Sequence, residues 1–262
     1  MMRKNNLYLQ NSWKYRHLLE ELVRRDIKVK YRRSVLGLAW SILNPLLMMM
    51  VITAVFSTVF KFDVENFPAY YLTGSLIFNF VSEATNGAMR SILENSGLIK
   101  KVYLPKYVFP LEKVIFAFVN AIFSLIAVAI VFIIIGISPS WTMLLFPIPL
   151  IYTLIFSIGI GLILSAVNVF FRDMGHLYGV WLTAWMYLTP IIYPVEALPE
   201  AIRNILVFNP LFHYVNYFRA VMLYNAIPSM IDNLICLGIS LCSLLLGVII
   251  FKKQQDKFIL YI

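Results

Sequence analysis

Few residues of this 262-residue chain could do chemistry, and most of them sit inside apolar sequence. Glu83 lies in a hydrophobic run with Asn79 and Asn86 within a turn of it. An acid buried in such a run is a functional candidate, and pairing with a polar neighbour across a helix interface is the competing reading. Lys30, Arg32 and Arg33 stand just ahead of the first long apolar segment, where the positive-inside rule alone would place cations. Tyr178, Trp181 and Trp185 share one helix face at i, i+3, i+7, and Tyr70, Tyr71, Phe78 and Phe80 fall in another apolar run. Flat rings suit the C–H faces of sugars, and they equally suit ordinary helix packing.

Familiar catalytic arrangements are missing from the sequence. There is no G-x-x-x-x-G-K-[ST] phosphate loop, no H-E-x-x-H, no G-x-S-x-G elbow and no paired-cysteine motif. His17, His176 and His213 are scattered and read as surface or helix-end residues. Cys236 and Cys242 are the only cysteines; six residues apart, they fall on different helix faces, so neither a disulfide nor a metal site is expected. Gly159 and Gly161 form G-x-G inside an apolar run, where helix packing is the natural reading. Ser157, Gly161 and Ser165, and likewise Gly175 and Gly179, recur every four residues as small side chains that admit close helix approach. Asp173 beside Arg172 reads as a structural ion pair or helix-end contact, and Lys113 beside Glu112 as a snorkelling lysine. No catalytic residue, metal or cofactor is assigned to the chain.

The elements that must position these residues are set by composition. Hydrophobic residues make up 61% of the chain and charged ones 13%, and several runs approach the ~20 apolar residues needed to cross a bilayer. The expected fold class is therefore an all-α integral membrane protein. Six spans are predicted, at about 35–60, 68–91, 108–135, 141–170, 176–194 and 231–251. The formal net charge of +9 does not indicate nucleic acid, because the cations lie before and between apolar runs. Ten of the 22 Lys and Arg precede residue 34, and Lys100, Lys101, Lys106, Arg172, Lys252, Lys253 and Lys257 fall on the same side of the predicted spans. Lys61, Arg203 and Arg219 are left on the other, which predicts cytoplasmic termini by the positive-inside rule. No cleavable signal peptide is expected.

Within residues 1–34, Tyr15, Leu18, Leu19, Leu22 and Val29 line one helix face and Lys14, His17, Glu20, Glu21, Arg24 and Lys28 the other, with Asp26 interrupting the apolar face. This predicts an amphipathic helix in the interface against anionic lipid. Pro45, after Asn44, removes a backbone donor and crowds the Ser41 carbonyl. A kink in a continuous first span follows, with Asn44 and Ser41 side chains as local partners. Residues 196–226 hold two segments too short to span, separated by Asn209-Pro210, a natural turn.

Five segments in order, YRRSVLGLAWSILNPLL (31–47), GLIKKVYLPKYVFPLEKV (97–114), FFRDMGHL (170–177), WMYLTPIIYPVEALP (185–199) and NPLFHYVNYFRAVML (209–223), resemble the permease subunits of type-2 ABC exporters for bacterial polysaccharides. The resemblance implies a cytoplasmic amphipathic helix (1–34), a six-span domain (35–251), an outer re-entrant hairpin (about 196–226) containing Asn209 and Pro210, and a cytoplasmic tail (252–262). It implies a second copy of the chain and two separate ATPase subunits that hold ATP and Mg. Their coupling contact would be about 94–106, with Asn95, Leu98, Ile99, Lys100, Lys101, Val102, Tyr103 and Lys106. The implied cargo is a glycan on a polyprenyl diphosphate or a related carrier, exported across the bacterial inner membrane. Lys30, Arg32 and Arg33 would meet its headgroup, and Tyr70, Phe78, Tyr178, Trp181 and Trp185 would face the glycan. Asn44, Pro45, Arg172, Asp173 and Pro190 take structural roles. Export of a small molecule or drug is the alternative within transport; a membrane enzyme of lipid-carrier metabolism would need clustered acids or metal ligands.

Overall fold

In a computed structural model that describes residues 15–32, 34–56 and 64–262, the chain is helical, and the described residues contain no strand. In chain order the helices are α1 (Arg16–Tyr31), α2 (Trp40–Val55), α3 (Phe67–Glu94), α4 (Ser96–Lys101), α5 (Val108–Ile135), α6 (Pro147–Phe170), α7 (Met174–Tyr187), α8 (Glu200–Leu206), α9 (Pro210–Met222) and α10 (Met230–Gln254). Local chemistry sets several of their ends. Gly136 closes α5 with φ +83°, and both its N–H and that of Ile137 return to the Phe132 carbonyl, a cap that favours glycine. Ser229 and Asp232 form a reciprocal capping box at the start of α10, and the Asn209 side chain accepts from Leu211 N–H ahead of Pro210, as expected of good N-caps.

Four stretches of the described residues are long and apolar enough to cross a membrane: Gly37–Val55, Val108–Ile135, Trp141–Phe170 and Met230–Leu260. Two of the predicted spans are not among them, for different reasons. The segment 68–91 lies in α3, which at 28 residues is ~42 Å long but carries Thr73, Ser75, Asn79, Glu83, Asn86, Arg90 and Ser91. This helix is the hub of the fold: α5, α6, α7, α9 and α2 all pack on it, and most of its residues are buried. Protein walls, rather than lipid, let it be polar. The segment 176–194 is helical only to Tyr187, since α7 has 14 residues, and Leu188 to Pro194 continue as turns.

Helices α6 and α10 run together through small residues. A Cβ on Gly159 would collide with the Ser243 backbone, and one on Gly247 with the backbone of Gly159; a Cβ on Gly161 would lie 2.8 Å from Ala88 Cβ. The G-x-G of this run is thus a helix contact. Gly175 and Gly179 behave otherwise: an added Cβ would meet only a methionine methyl at 3.9 Å at the first and nothing within 4 Å at the second. The four-residue repeat marks a close approach at only one of its two occurrences.

Pro45 sits inside α2, and the helix runs on through it. The Ser41 carbonyl left without its backbone donor accepts instead from the Ser124 hydroxyl of α5, at 3.3 Å. The expected local partners, Asn44 and Ser41, are replaced by one from a neighbouring helix, because α2 packs on α5. Residues 57–63, which include the end of the first predicted span (57–60) and Lys61, lie outside the described residues.

Replacing Gly159 with Ala should therefore force two backbones apart. The expected cost is ~1–3 kcal/mol or more, read as a clear drop in melting temperature of the purified protein. Gly179→Ala should leave it unchanged or slightly raised.

Candidate functional site

A cavity of about 640 Å³ opens between α1, α2, α3 and α5, with Lys30, Asn44, Asn79, Glu83, Asn86 and Asn120 on its polar wall and Trp40, Pro45, Tyr71 and Phe80 among its apolar lining. The long helix α3 supplies one wall because Ser75, Asn79, Ser82, Glu83 and Asn86 fall on one of its faces at helical spacing. At the centre, Lys30 Nζ donates to Glu83 Oε1 at 2.7 Å, and Asn120 Nδ2 donates to the same oxygen at 3.0 Å. The Tyr31 hydroxyl donates to Asn120 Oδ1 at 3.4 Å and shares a hydrogen bond with Ser41. Lys30 also lies 5.2 Å from the Phe116 ring centroid and 5.7 Å from that of Tyr31. Two residues predicted separately, the intramembrane acid and the entrance cation, are thus partners.

One turn before Lys30, Asp26 binds Lys113 of α5 and the Arg25 guanidinium, the latter at 2.9 Å. The acid that interrupts the apolar face of α1 is the residue that fastens it. Lys113 turns inward to this pair, so it does not snorkel, and Glu112 beside it is fully buried with its carboxylate 3.8 Å from the ammonium. Leu22 and Val23 are buried, whereas Val29, assigned to the apolar face, is 61% exposed. Helix α1 packs on α5. Partial burial of Asp26 works against its ionisation, but hydrogen bonds from Lys113 and Arg25 outweigh it and hold the carboxyl below its ordinary range.

Of the predicted headgroup residues, Lys30 lines the cavity, Arg32 is exposed outside it, and Arg33 lies outside the described residues. None of the five predicted glycan-facing aromatics lines this cavity. Phe78 is buried in the main core. The Tyr178 hydroxyl donates to Thr85 at 2.7 Å and Trp185 Nε1 to Asn209 Oδ1 at 2.8 Å, both within the packed interior. Trp181, on the same helix face, is half exposed. Spacing put these rings on one face but could not say which neighbours cover it.

Tyr70 belongs to a second polar centre that sequence reading missed. Arg219, counted as an outer cation, is 1% exposed. Its guanidinium donates to the carbonyls of Pro190 (2.7 Å), Tyr70 (3.0 Å) and Ile191 (3.3 Å) and stacks 3.4 Å from the Tyr70 ring centroid. Gly74 makes room, since a Cβ there would lie 2.5 Å from the guanidinium. The signal was present: Arg219 shares a helical face with Leu211 and Val215, both fully buried. Asn209 completes the fastening, donating to Leu188 O and Thr189 Oγ1 at 3.1 and 3.0 Å.

The coupling segment is a helix only from Ser96 to Lys101, with Asn95 donating to Ser91 O at 2.8 Å ahead of it. Ile99 turns inward to Ile92, Phe109 and Phe258. Lys106 donates to Gln255 O at 2.6 Å, and burial lowers its ammonium pKa. Leu98, Lys100, Lys101, Val102 and Tyr103 face outward, Tyr103 at 97% exposure. Arg172 forms no ion pair with Asp173; it donates to the Tyr261 carbonyl at 3.3 Å, because the chain's end folds back beneath it. His213 meets the Val207 carbonyl at 2.7 Å, a helix-end contact. Among the described residues no three His, Cys, Asp or Glu side chains converge as a metal site.

The described residues thus enclose a polar cavity against a buried central helix and present an exposed turn after α4. The model of the family described as ABC-2 type transporter matches residues 17–223, and the chain belongs to that family. It is similar to the O-antigen export system permease protein RfbA of Myxococcus xanthus, with 31% identity over 252 residues, 95% of this chain and 97% of that protein. It also resembles the Klebsiella pneumoniae RfbA (29% over 244 residues, 92% and 93%) and the polysialic acid transport protein KpsM of Escherichia coli (23% over 248 residues, 92% and 95%). The resemblance drawn from the five segments is thereby borne out.

Neutralising Asp26 as Asn should leave the largely buried Lys113 ammonium with only the Glu112 carboxylate at 3.8 Å and cost about 1–3 kcal/mol. Lys113→Met in the same background should restore much of the loss, a coupling read from the four melting curves of a double-mutant cycle. Because the Asp26 pKa is lowered on folding, its contribution is complete above the unfolded value. It should fade as pH falls below about 4, the ordinary Asp range.

Proposed function

We propose that this chain is the membrane permease of an ATP-driven exporter that moves a lipid-linked polysaccharide of O-antigen, capsular or teichoic-acid type across the bacterial inner membrane. The observation that carries the reading is the polar cavity against α3, with a cation at its mouth and amides along its wall, in a chain aligned end to end with O-antigen export permeases. A glycan presents hydroxyls to such amides, and a carrier diphosphate presents oxygens to Lys30 and to its neighbours Arg32 and Arg33.

In this reading α3 and α7 complete six spans, with α7 extended by the turns to Pro194. Helices α8 and α9 form an outer hairpin that dips in and returns, α1 is the cytoplasmic interface helix, and both termini are cytoplasmic. Arg219 supports the hairpin assignment: backbone at membrane depth needs partners inside the protein, and this guanidinium supplies them to Pro190 and Ile191. The chain works as a pair. Helix α2 has no buried residue, and Leu47, Met50 and Val51 on it are exposed, leaving apolar surface for a second copy and for lipid.

Energy comes from two separate ATPase subunits that bind ATP and Mg, through the turn around α4 and through α1. The outward Leu98, Val102 and Tyr103 suit a docking contact, since no fold contact would be lost on binding. The chain should co-purify with an ATPase whose turnover rises with lipid-linked glycan; absence of an associated ATPase, or export without ATP, would sink the proposal. Tyr103→Ala should leave the melting temperature unchanged while reducing substrate-stimulated turnover severalfold. Unaltered stimulation would remove this turn from the coupling path.

A further inference from the structure

Glu83 occupies a site whose other members are built to receive an anion. Around its carboxylate stand the Lys30 ammonium and the Asn120 amide as donors, while Asn79 and Asn86, a turn to either side on α3, line the same cavity. N–H donors concentrated in a cavity suit a phosphate group. The carboxylate is the member that would repel one.

The pair is also easy to exchange. Lys30 and Glu83 side chains are 40% and 37% exposed, and ion pairs so open to solvent contribute only ~0–1 kcal/mol. Lys30 stays placed if Glu83 leaves, held near the Phe116 and Tyr31 rings by cation–π attraction. The helix beneath it stays docked, because Asp26 and Lys113 fasten it one turn away.

Glu83 has a second place to go. It stands in the wall between the large cavity and a smaller one of about 310 Å³, lined also by Asn86, Arg90, Glu94 and Lys113. Turned into that smaller cavity, its carboxylate would face the cations of Arg90 and Lys113, with Glu94 the opposing acid.

We infer that Glu83 is an internal stand-in for the cargo's diphosphate: it fills the Lys30–Asn120 anion site at rest and swings toward Arg90 and Lys113 when a diphosphate takes its place. The inference rests on the exporter reading for the identity of the ligand, and on side-chain geometry alone for the exchange. It makes the site self-occluding, so that bilayer anions of single charge compete poorly against the resident carboxylate.

The test is equilibrium binding to the full chain in nanodiscs of zwitterionic lipid, with inorganic pyrophosphate and a polyprenyl diphosphate as separate probes. Freeing a site that its own carboxylate fills most of the time lowers the apparent Kd by the inverse of the open fraction, roughly three- to tenfold. Glu83→Gln should show that gain, Lys30→Gln should lose binding, and Arg90→Gln should weaken it without lining the large cavity. A gain for both probes identifies the diphosphate itself as the recognised group; a gain for the lipid probe alone identifies the diphosphate as held on its carrier. Glu83→Gln binding no tighter than wild type, with its melting temperature preserved, overturns the inference, as does unchanged binding in Lys30→Gln. Polymer export in cells is scored separately: an affinity gain in Glu83→Gln beside a chain whose deletion leaves polysaccharide export intact would uphold the switch and count against the exporter reading.

Discussion

A polar helix cannot face lipid, and the fold is arranged around that constraint. Backbone and side-chain polar groups at membrane depth cost several kcal/mol each when left without partners. Helix α3 carries nine such side chains from Thr73 to Ser91, so α2, α5, α6, α7 and α9 must enclose it. Many of its hydroxyls satisfy themselves locally: Thr73, Ser75, Thr85 and Ser91 all donate to carbonyls three or four residues back. Asn79, Ser82, Glu83 and Asn86 are not satisfied in this way, and they line the large cavity, while Arg90 lines the smaller one. The same enclosure that makes the helix tolerable makes its polar face a lining.

The two charged centres answer the constraint differently. Arg219 is sealed, without a carboxylate, by three carbonyls and a ring face; charge-assisted bonds to backbone oxygens offset a desolvation cost of several kcal/mol, and nothing can enter or leave. Glu83 and Lys30 are open, weakly paired and reachable. A sealed cation fixes the turns after α7 to the start of α3, while an open pair can change partner. Stability and exchange are thus divided between the start and the middle of one helix.

How much of this was legible follows from range. Helix α5 matches the predicted span of about 108–135, because an apolar run interrupted only by Glu112, Lys113, Asn120 and Ser124 ends at Gly136. Interactions that join distant segments were not legible. Lys30 meets Glu83 across 53 residues, Ser124 rescues the Ser41 carbonyl across 83, and Arg219 reaches Tyr70 across 149; no periodicity encodes such pairings. The aromatic face of Tyr178 and Trp185 was readable as a face, but its covering by Thr85 and Asn209 depends on where α3 and α9 pack. Asp26 gave a usable warning, since an acid on an apolar stripe needs a cation opposite it.

Helix α3 also joins the parts that an exporter must move together. Its first turns carry the Tyr70 carbonyl that holds Arg219, its middle carries Glu83, and its last turn runs through Asn95 into α4, where Leu98 and, just beyond the helix, Tyr103 face outward. No proline interrupts it after Pro68 near its start, so its hydrogen-bond ladder is continuous over ~40 Å. A helix of that kind shifts more readily than it bends. A push at the α4 turn would therefore reach the cavity wall and the Arg219 fastening through one element, with the Lys30–Glu83 pair, 40% and 37% exposed, a weakly held contact in its path.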